Sequence, residues 1–170
     1  METGGGAEAR RGGEPLDILR TVMDPEVPVL SIVDLGIVRG AEVNGDTVRV
    51  DITPTYSGCP AMRVIEEDVI AALKAAGYRE VAVHTVFQPA WTTDWMTEEG
   101  RTRLREYGIA PPGRTDTATL IQIGRGTRRV ACPFCGSQDT EVKSEFGSTA
   151  CKSLHVCHAC RQPFEHFKAI

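Results

Sequence analysis

Asp46-Thr47-Val48-Arg49-Val50-Asp51-Ile52-Thr53 is the stretch on which the fold of the first half turns. Val48, Val50 and Ile52 alternate with Thr47, Arg49 and Asp51, the period-2 pattern of a strand with one buried face. Upstream, Asn44-Gly45 suits the positive φ angles of a type I′ turn, so a partner strand over Ile37 to Val43 is expected to close a hairpin. Downstream, Thr53 to Gly58 read as a loop and Pro60 opens a helix at a favoured position. Met62, Ile65, Val69, Leu73 and Ala76 form the apolar stripe of that helix, and Gly77 stands where a C-cap glycine belongs. Val81, Val83, Thr85 and Phe87 then make a third strand, which a right-handed crossover would pair in parallel with an earlier one.

Working further outward, Leu16, Leu19 and Met23 recur at helical spacing after Pro15, and the helix should stop before Asp24-Pro25. Asp24-Pro25-Glu26-Val27-Pro28-Val29-Leu30 is too rich in proline for a central strand and reads as an ordered loop. Beyond the third strand, Pro89 to Asp94 form a loop beside Trp91 and Trp95. Thr97 to Tyr107 make a charged helix ended by Gly108, and Pro111-Pro112-Gly113 mark a boundary. The expected class is α+β: a small mixed sheet of three to four strands with flanking helices, followed by a β-rich zinc ribbon. The expected division is a flexible leader (1–13), an α/β domain (14–112), a linker or further strand (113–127, with Thr117 to Ile123 as the strand) and a four-cysteine ribbon (128–170).

Bulk composition narrows the function. Nineteen Lys and Arg stand against 23 Asp and Glu, for a net charge of −4. A nucleic-acid partner is not expected, because binders of phosphate backbones usually carry a basic surplus. No apolar run approaches the ~20 residues that span a bilayer, and the Gly-rich segment Met1 to Gly13 lacks the apolar core of a secretory signal. The reading is a cytoplasmic protein with no membrane partner, a setting where thiols stay reduced and clustered cysteines favour metal or redox chemistry.

Five of the six cysteines lie in the last forty-odd residues. Cys132-Pro133-Phe134-Cys135 and Cys157-His158-Ala159-Cys160 are two C-x2-C knuckles with 21 residues between Cys135 and Cys157. Each knuckle presents two thiolates to one ion, and four thiolates complete a tetrahedral shell at about 2.3 Å for zinc. Two redox pairs or disulfides are the competing reading, and a single iron fits the same geometry. So short a segment has little core of its own, so a bound ion would supply folding energy. Phe134, Phe146, Phe164 and Phe167 are expected to pack around the ribbon. Cys151 reads as a buried small residue, a reserve ligand or a reactive thiol. His155, His158 and His166 are not needed as ligands.

The remaining cysteine, Cys59, falls at the N-cap of the helix that Pro60 opens, where free amides and the helix dipole favour a thiolate. A reactive thiol and a buried, inert one are both open there. Asp24, Glu26 and Asp34 read as turn-forming acids of the early loops, and His84 as a satisfied strand residue.

Three segments carry a family resemblance: Asp24-Pro25-Glu26-Val27-Pro28 with Ser31-Ile32-Val33-Asp34-Leu35-Gly36, Thr53-Pro54-Thr55-Tyr56-Ser57-Gly58-Cys59-Pro60, and Pro89-Ala90-Trp91-Thr92-Thr93-Asp94-Trp95-Met96. Together they resemble the SufT-like iron–sulfur assembly domain over about residues 15–108. Phe146-Gly147-Ser148-Thr149-Ala150-Cys151-Lys152 and Pro163-Phe164-Glu165-His166-Phe167-Lys168 extend the resemblance to the PaaD family, the small subunits encoded with ring 1,2-phenylacetyl-CoA epoxidases. The resemblance implies a non-catalytic maturation or assembly factor for that epoxidase in aerobic phenylacetate catabolism. It places the family's functional cysteine on Cys59, which would hold iron or an iron–sulfur cluster transiently, across a homodimer in one version, with Asp24 and Glu26 shaping the site. The expected cofactor is a structural zinc in the ribbon, and the expected partners are the oxygenase and reductase subunits. A structural subunit of the oxygenase complex is the first alternative and a thiol oxidoreductase the second. Against the latter, no phosphate-cradling glycine loop precedes a helix, since Gly124-Arg125-Gly126 lacks the rest of a dinucleotide fingerprint.

Overall fold

The computed structural model describes residues 13–56, 58–113 and 130–170. The pattern around Val48 builds the first sheet. Strand β1 (Val38–Asn44) pairs antiparallel with β2 (Thr47–Ile52) across the Asn44-Gly45 turn, with Gly45 at φ +59°. Val48, Val50 and Ile52 are fully buried. Helix α2 (Ala61–Ala75) crosses back over the sheet and leads into β3 (Glu80–Thr85), which pairs in parallel with β2. The sheet order is β1-β2-β3, the expected mixed three-stranded sheet. The face of α2 against it is Ala61, Ile65, Val69 and Leu73. Burying each of the three larger side chains contributes about 1.5–3 kcal/mol.

The flanks depart from expectation in three places. Helix α1 covers only Pro15–Leu19, so Met23 is not helical and Leu16 is exposed; of that stripe only Leu19 is buried. The chain leaves the helix because Val22 to Asp24 enter a short extended pairing instead. The N–H of Ile32 donates to the Val22 carbonyl at 3.0 Å and that of Asp24 to the Leu30 carbonyl at 2.8 Å, which closes the 24–30 loop. Phe87 lies beyond β3 and is exposed. Phe134 and Phe146 are also exposed, so only Phe164 and Phe167 pack inside. The expected strand from Thr117 to Ile123 falls outside the described residues, as does most of the 113–127 linker.

Helix α3 (Glu98–Glu106) is capped by the Thr97 hydroxyl, which accepts from the Gly100 N–H at 3.0 Å. It leads into a two-residue strand, β4 (Ile109–Ala110). That strand joins a second sheet formed with β5 (Thr140–Ser144), β6 (Lys152–Cys157) and β7 (Pro163–Phe167), in the order β4-β7-β6-β5. The ribbon is therefore stitched to the first domain rather than tethered to it. β4 pairs in parallel with β7, and the Ile170 carbonyl accepts from the Thr92 hydroxyl at 2.8 Å and the Thr93 N–H at 3.1 Å. Phe167 and Cys151 sit in the same apolar core as Leu19, Ile65 and Trp91. No helix among the described residues is long and apolar enough to cross a membrane.

Gly36 fixes where α3 and its preceding turn can lie. Its φ is +70°, and a Cβ there would fall 2.6 Å from the Trp95 carbonyl oxygen. Gly36→Ala is expected to cost about 2–3 kcal/mol from left-handed strain and overpacking together, read as a lower urea midpoint at unchanged slope. An unaltered midpoint would mean that this approach is slack in solution.

Candidate metal centres

The two knuckles converge. The four sulfurs of Cys132, Cys135, Cys157 and Cys160 all lie within 4.8 Å of one another. The Cys132–Cys160 and Cys135–Cys157 separations are both 3.6 Å. A tetrahedron of sulfurs at about 2.3 Å from a central ion has edges of about 3.8 Å, so the quartet has the dimensions of a tetrathiolate shell. Turn amides aim at the sulfurs, as knuckle geometry requires. The Cys160 N–H toward Cys157 draws that thiol down to about 7. At Cys160 the Gln162 amide pulls the same way, but burial and the neighbouring sulfurs of Cys135, Cys157 and Cys132 prevail and push the thiol up to about 12. Four sulfurs so close cannot all ionise without a cation among them, and a divalent ion removes that conflict.

The histidines of the ribbon have other partners. Nδ1 and Nε2 of His158 lie 3.1 Å from Asp139 and 3.3 Å from Glu141, and the His155 ring meets the Ser153 hydroxyl at 2.9 Å. His166 faces Ser153 from β7.

The second constellation lies in the first domain. Pro60 rather than Cys59 occupies the N-cap of α2, which puts Cys59 one residue before the cap. The expected acidification of its thiol is not found. Burial pushes the Cys59 thiol up; the Ala61 N–H opposes this, and the carboxylates of Glu26 and Asp24 add to it. Cys59 is therefore harder to ionise than a free cysteine. Tyr56 lies within electrostatic reach of Cys59, Glu26 and Cys151.

Asp24 is buried and organises the loop that carries Glu26. Its Oδ1 accepts from the N–H groups of Glu26 at 2.9 Å and Val27 at 2.7 Å, an Asx turn of the kind its Asp-Pro sequence suggests. Burial raises both carboxyl groups, and at Glu26 the neighbouring Asp24 raises it further, while Lys152 lowers each. Asp34 has a different task. It is 2% exposed and accepts from the Ser31 hydroxyl at 2.9 Å, the Thr97 hydroxyl at 3.2 Å and the Arg103 guanidinium at 2.5 Å, which ties the 31–36 turn to α3. His84 stands exposed on β3 beside Asp51.

What sequence reasoning did not place is Cys151. It is 6% exposed and sits just before β6, with its sulfur 3.0 Å from the Thr149 hydroxyl and 4.0 Å from Glu26 Oε2. The buried Lys152 beside it reaches Glu165 at 3.1 Å. No periodicity links positions 26 and 151; their side chains come within 4.0 Å only through the docking of the ribbon.

With this geometry in place, two family models fall on the two centres separately, and one relative spans both. Residues 16–85 match the family model described as iron-sulfur cluster assembly protein, and residues 116–168 match the PaaD zinc beta ribbon domain. Over 154 residues, 90% of each chain, the sequence is 47% identical to a protein of Escherichia coli (strain K12) described as one subunit of a "Putative 1,2-phenylacetyl-CoA epoxidase". It is 39% identical over 89 residues to a Porphyromonas gingivalis protein named Fe-S protein maturation auxiliary factor, covering 51% of this chain and 84% of that one. A crystal structure of a domain of unknown function from Bacillus anthracis superposes with a TM-score of 0.50 at 28% identity, over 53% of this chain and 87% of the other.

Proposed function

Given that this chain belongs to the PaaD family of phenylacetyl-CoA epoxidase subunits, we propose that it matures the iron centres of that multicomponent epoxidase in aerobic phenylacetate catabolism and turns over no substrate itself. The observation that carries this reading is the separation of two sulfur environments in one chain. The quartet Cys132, Cys135, Cys157 and Cys160 is closed and complete, which suits an ion that stays. Zinc is the resident ion there, and its task is to hold the ribbon folded. Cys59 is half-buried, with Glu26 and Asp24 near its sulfur, and offers an incomplete shell. An incomplete shell holds a metal loosely enough to give it up.

The charge states of the second site support the same reading. Burial raises Asp24, Glu26 and Cys59 alike, so negative charge gathered there is costly without a counter-ion. An arriving cation stabilises the Cys59 thiolate, and its capture then releases the thiol proton. Iron or an iron–sulfur cluster is the cargo, received at Cys59 and passed to the oxygenase or the reductase, which are the docking partners. The iron-sulfur cluster assembly family model matches residues 16–85, the part of the chain that holds Cys59, which fits a carrier function housed there.

The test is Cys59→Ser in a host that grows on phenylacetate as sole carbon source. Growth should fail, and the epoxidase subunits isolated from that host should be short of iron while accumulating at normal levels. Normal growth with fully loaded partner subunits would remove the claim.

A further inference from the structure

The ribbon's docking has a chemical consequence. We propose that Cys151 is the second sulfur ligand of the Cys59 site, so that one thiophilic cation, iron(II) or an iron of a small cluster, is held between the two domains with Glu26 as the carboxylate donor. This rests on the reading of Cys59 as the cargo residue and adds the ligand that the ribbon supplies.

Three observations carry it. First, Cys151 takes no part in the sulfur quartet of its own domain. It lies in the core of the first domain, against which Cys59 packs, while Cys132 and Cys157 belong to a separate cluster with Phe164. Second, its sulfur has polar neighbours. Glu26 Oε2 is 4.0 Å from its sulfur, close to the about 3.6 Å expected between a thiolate and a carboxylate oxygen on one tetrahedral ion. Tyr56 lies within electrostatic reach of Cys59, Glu26 and Cys151 alike. A cysteine that merely fills space needs neither a carboxylate nor the Thr149 hydroxyl at 3.0 Å. Third, the segment bearing it is held in place from both sides. The Lys168 N–H donates to the Cys151 carbonyl at 2.9 Å, the Gly147 N–H to the Lys152 carbonyl at 2.7 Å, and Glu165 accepts from the Ser148 N–H at 2.5 Å and from Lys152 Nζ at 3.1 Å.

Among the described residues the zinc quartet is the only group of three or more ligand atoms already gathered within mutual reach. The Cys59–Cys151–Glu26 group must therefore draw together on its ion. Both thiols start protonated, since burial raises Cys151 as it does Cys59. Capture is M²⁺ + 2 RSH → M(SR)₂ + 2 H⁺, with no change in oxidation state. A site that closes on binding and springs open on release suits transfer, and the ribbon becomes one wall of it.

The experiment uses the full chain with zinc in the ribbon, anaerobic and reduced, titrated with cobalt(II) alone as the spectroscopic stand-in for iron(II), with zinc content measured throughout. The wild-type chain should bind one cobalt beyond its zinc, with sulfur-to-cobalt charge-transfer absorption. Cys151→Ser and Cys151→Ala should each show about half that absorption per bound ion. Affinity should fall by at least the roughly 10- to 100-fold that loss of an outer partner of a metal ligand causes, with zinc content and thermal unfolding retained as proof of fold. Unchanged absorption and affinity in both Cys151 variants, with binding lost in Cys59→Ser, would overturn this proposal and leave the Cys59 reading standing. Wild-type behaviour in Cys59→Ser would overturn both. A wild-type chain that binds no cobalt but forms a Cys59–Cys151 disulfide under mild oxidation would also overturn it, in favour of a redox pair.

Discussion

Stripping the ribbon's ion with a strong chelator is expected to unfold residues 130–170 and leave the first sheet standing. The quartet's own apolar cluster is only Ala110, Cys132, Cys157 and Phe164 with two partly buried neighbours, far too little to offset the chain entropy of some forty residues. Structural zinc in comparable four-ligand modules contributes roughly 10 kcal/mol or more at neutral pH, which exceeds anything else in this part of the chain. The core around Ile65, Val69, Leu73 and Val50 loses only Phe167 and Cys151 from its buried members. Hydrogen exchange is the measurement. Amides of β5, β6 and β7 should lose protection on chelation, while those of β2 and α2 keep most of theirs. Cys157→Ser should give the same pattern without chelator. Retained protection in the ribbon after complete metal removal would mean that side-chain packing alone holds it.

Asp34→Ala should be the most damaging single change in the first domain outside its apolar core, at about 3–5 kcal/mol. The carboxylate gathers the Ser31 N–H, the Ser31 and Thr97 hydroxyls and the Arg103 guanidinium at a position where water cannot substitute. Truncation leaves several donors without an acceptor, and each hydrogen bond to a charged group is worth about 1.5–3 kcal/mol. Arg103 is half exposed and can turn to solvent, so its share is discounted. Asp34→Asn keeps the shape and, with its amide oxygen in the place of Oδ2, the three contacts to Ser31 and Arg103, and should cost less than half as much. A loss below about 1 kcal/mol for the alanine variant, measured by urea unfolding, would show that the 31–36 turn is held by Leu35 and Ile37 alone.

How far the sequence alone reached depends on the distance over which each signal acts. The alternation at Val48, Val50 and Ile52, the Asn44-Gly45 turn and the stripe of α2 are local and periodic, and each element appears where its pattern places it. The knuckle spacing was legible for the same reason, because two short turns fix the positions of their own sulfurs. Local signals failed where tertiary pairing competed with them. The Leu16-Leu19-Met23 spacing is helical, yet hydrogen bonds between the 22–24 and 30–32 segments end α1 at Leu19. Position before a helix suggested an acidified Cys59, but burial beside Glu26 outweighs the Ala61 amide. The pairing of Ile109–Ala110 with Glu165 and His166 spans two residues and leaves no periodic trace. That pairing docks the ribbon, and so the meeting of Cys151 with Glu26 could not be read from the chain.

On the function proposed above, two sulfur centres divide the labour: a closed quartet that keeps its ion and an open site at Cys59 that takes and passes on another. Iron, zinc and acid-labile sulfide, counted per chain in anaerobically prepared wild-type and Cys59→Ser protein, test that division most directly. One zinc in both proteins, with iron present in the first and absent from the second, is the expected result. Iron undiminished in the variant, or zinc that disappears with Cys59, would contradict it.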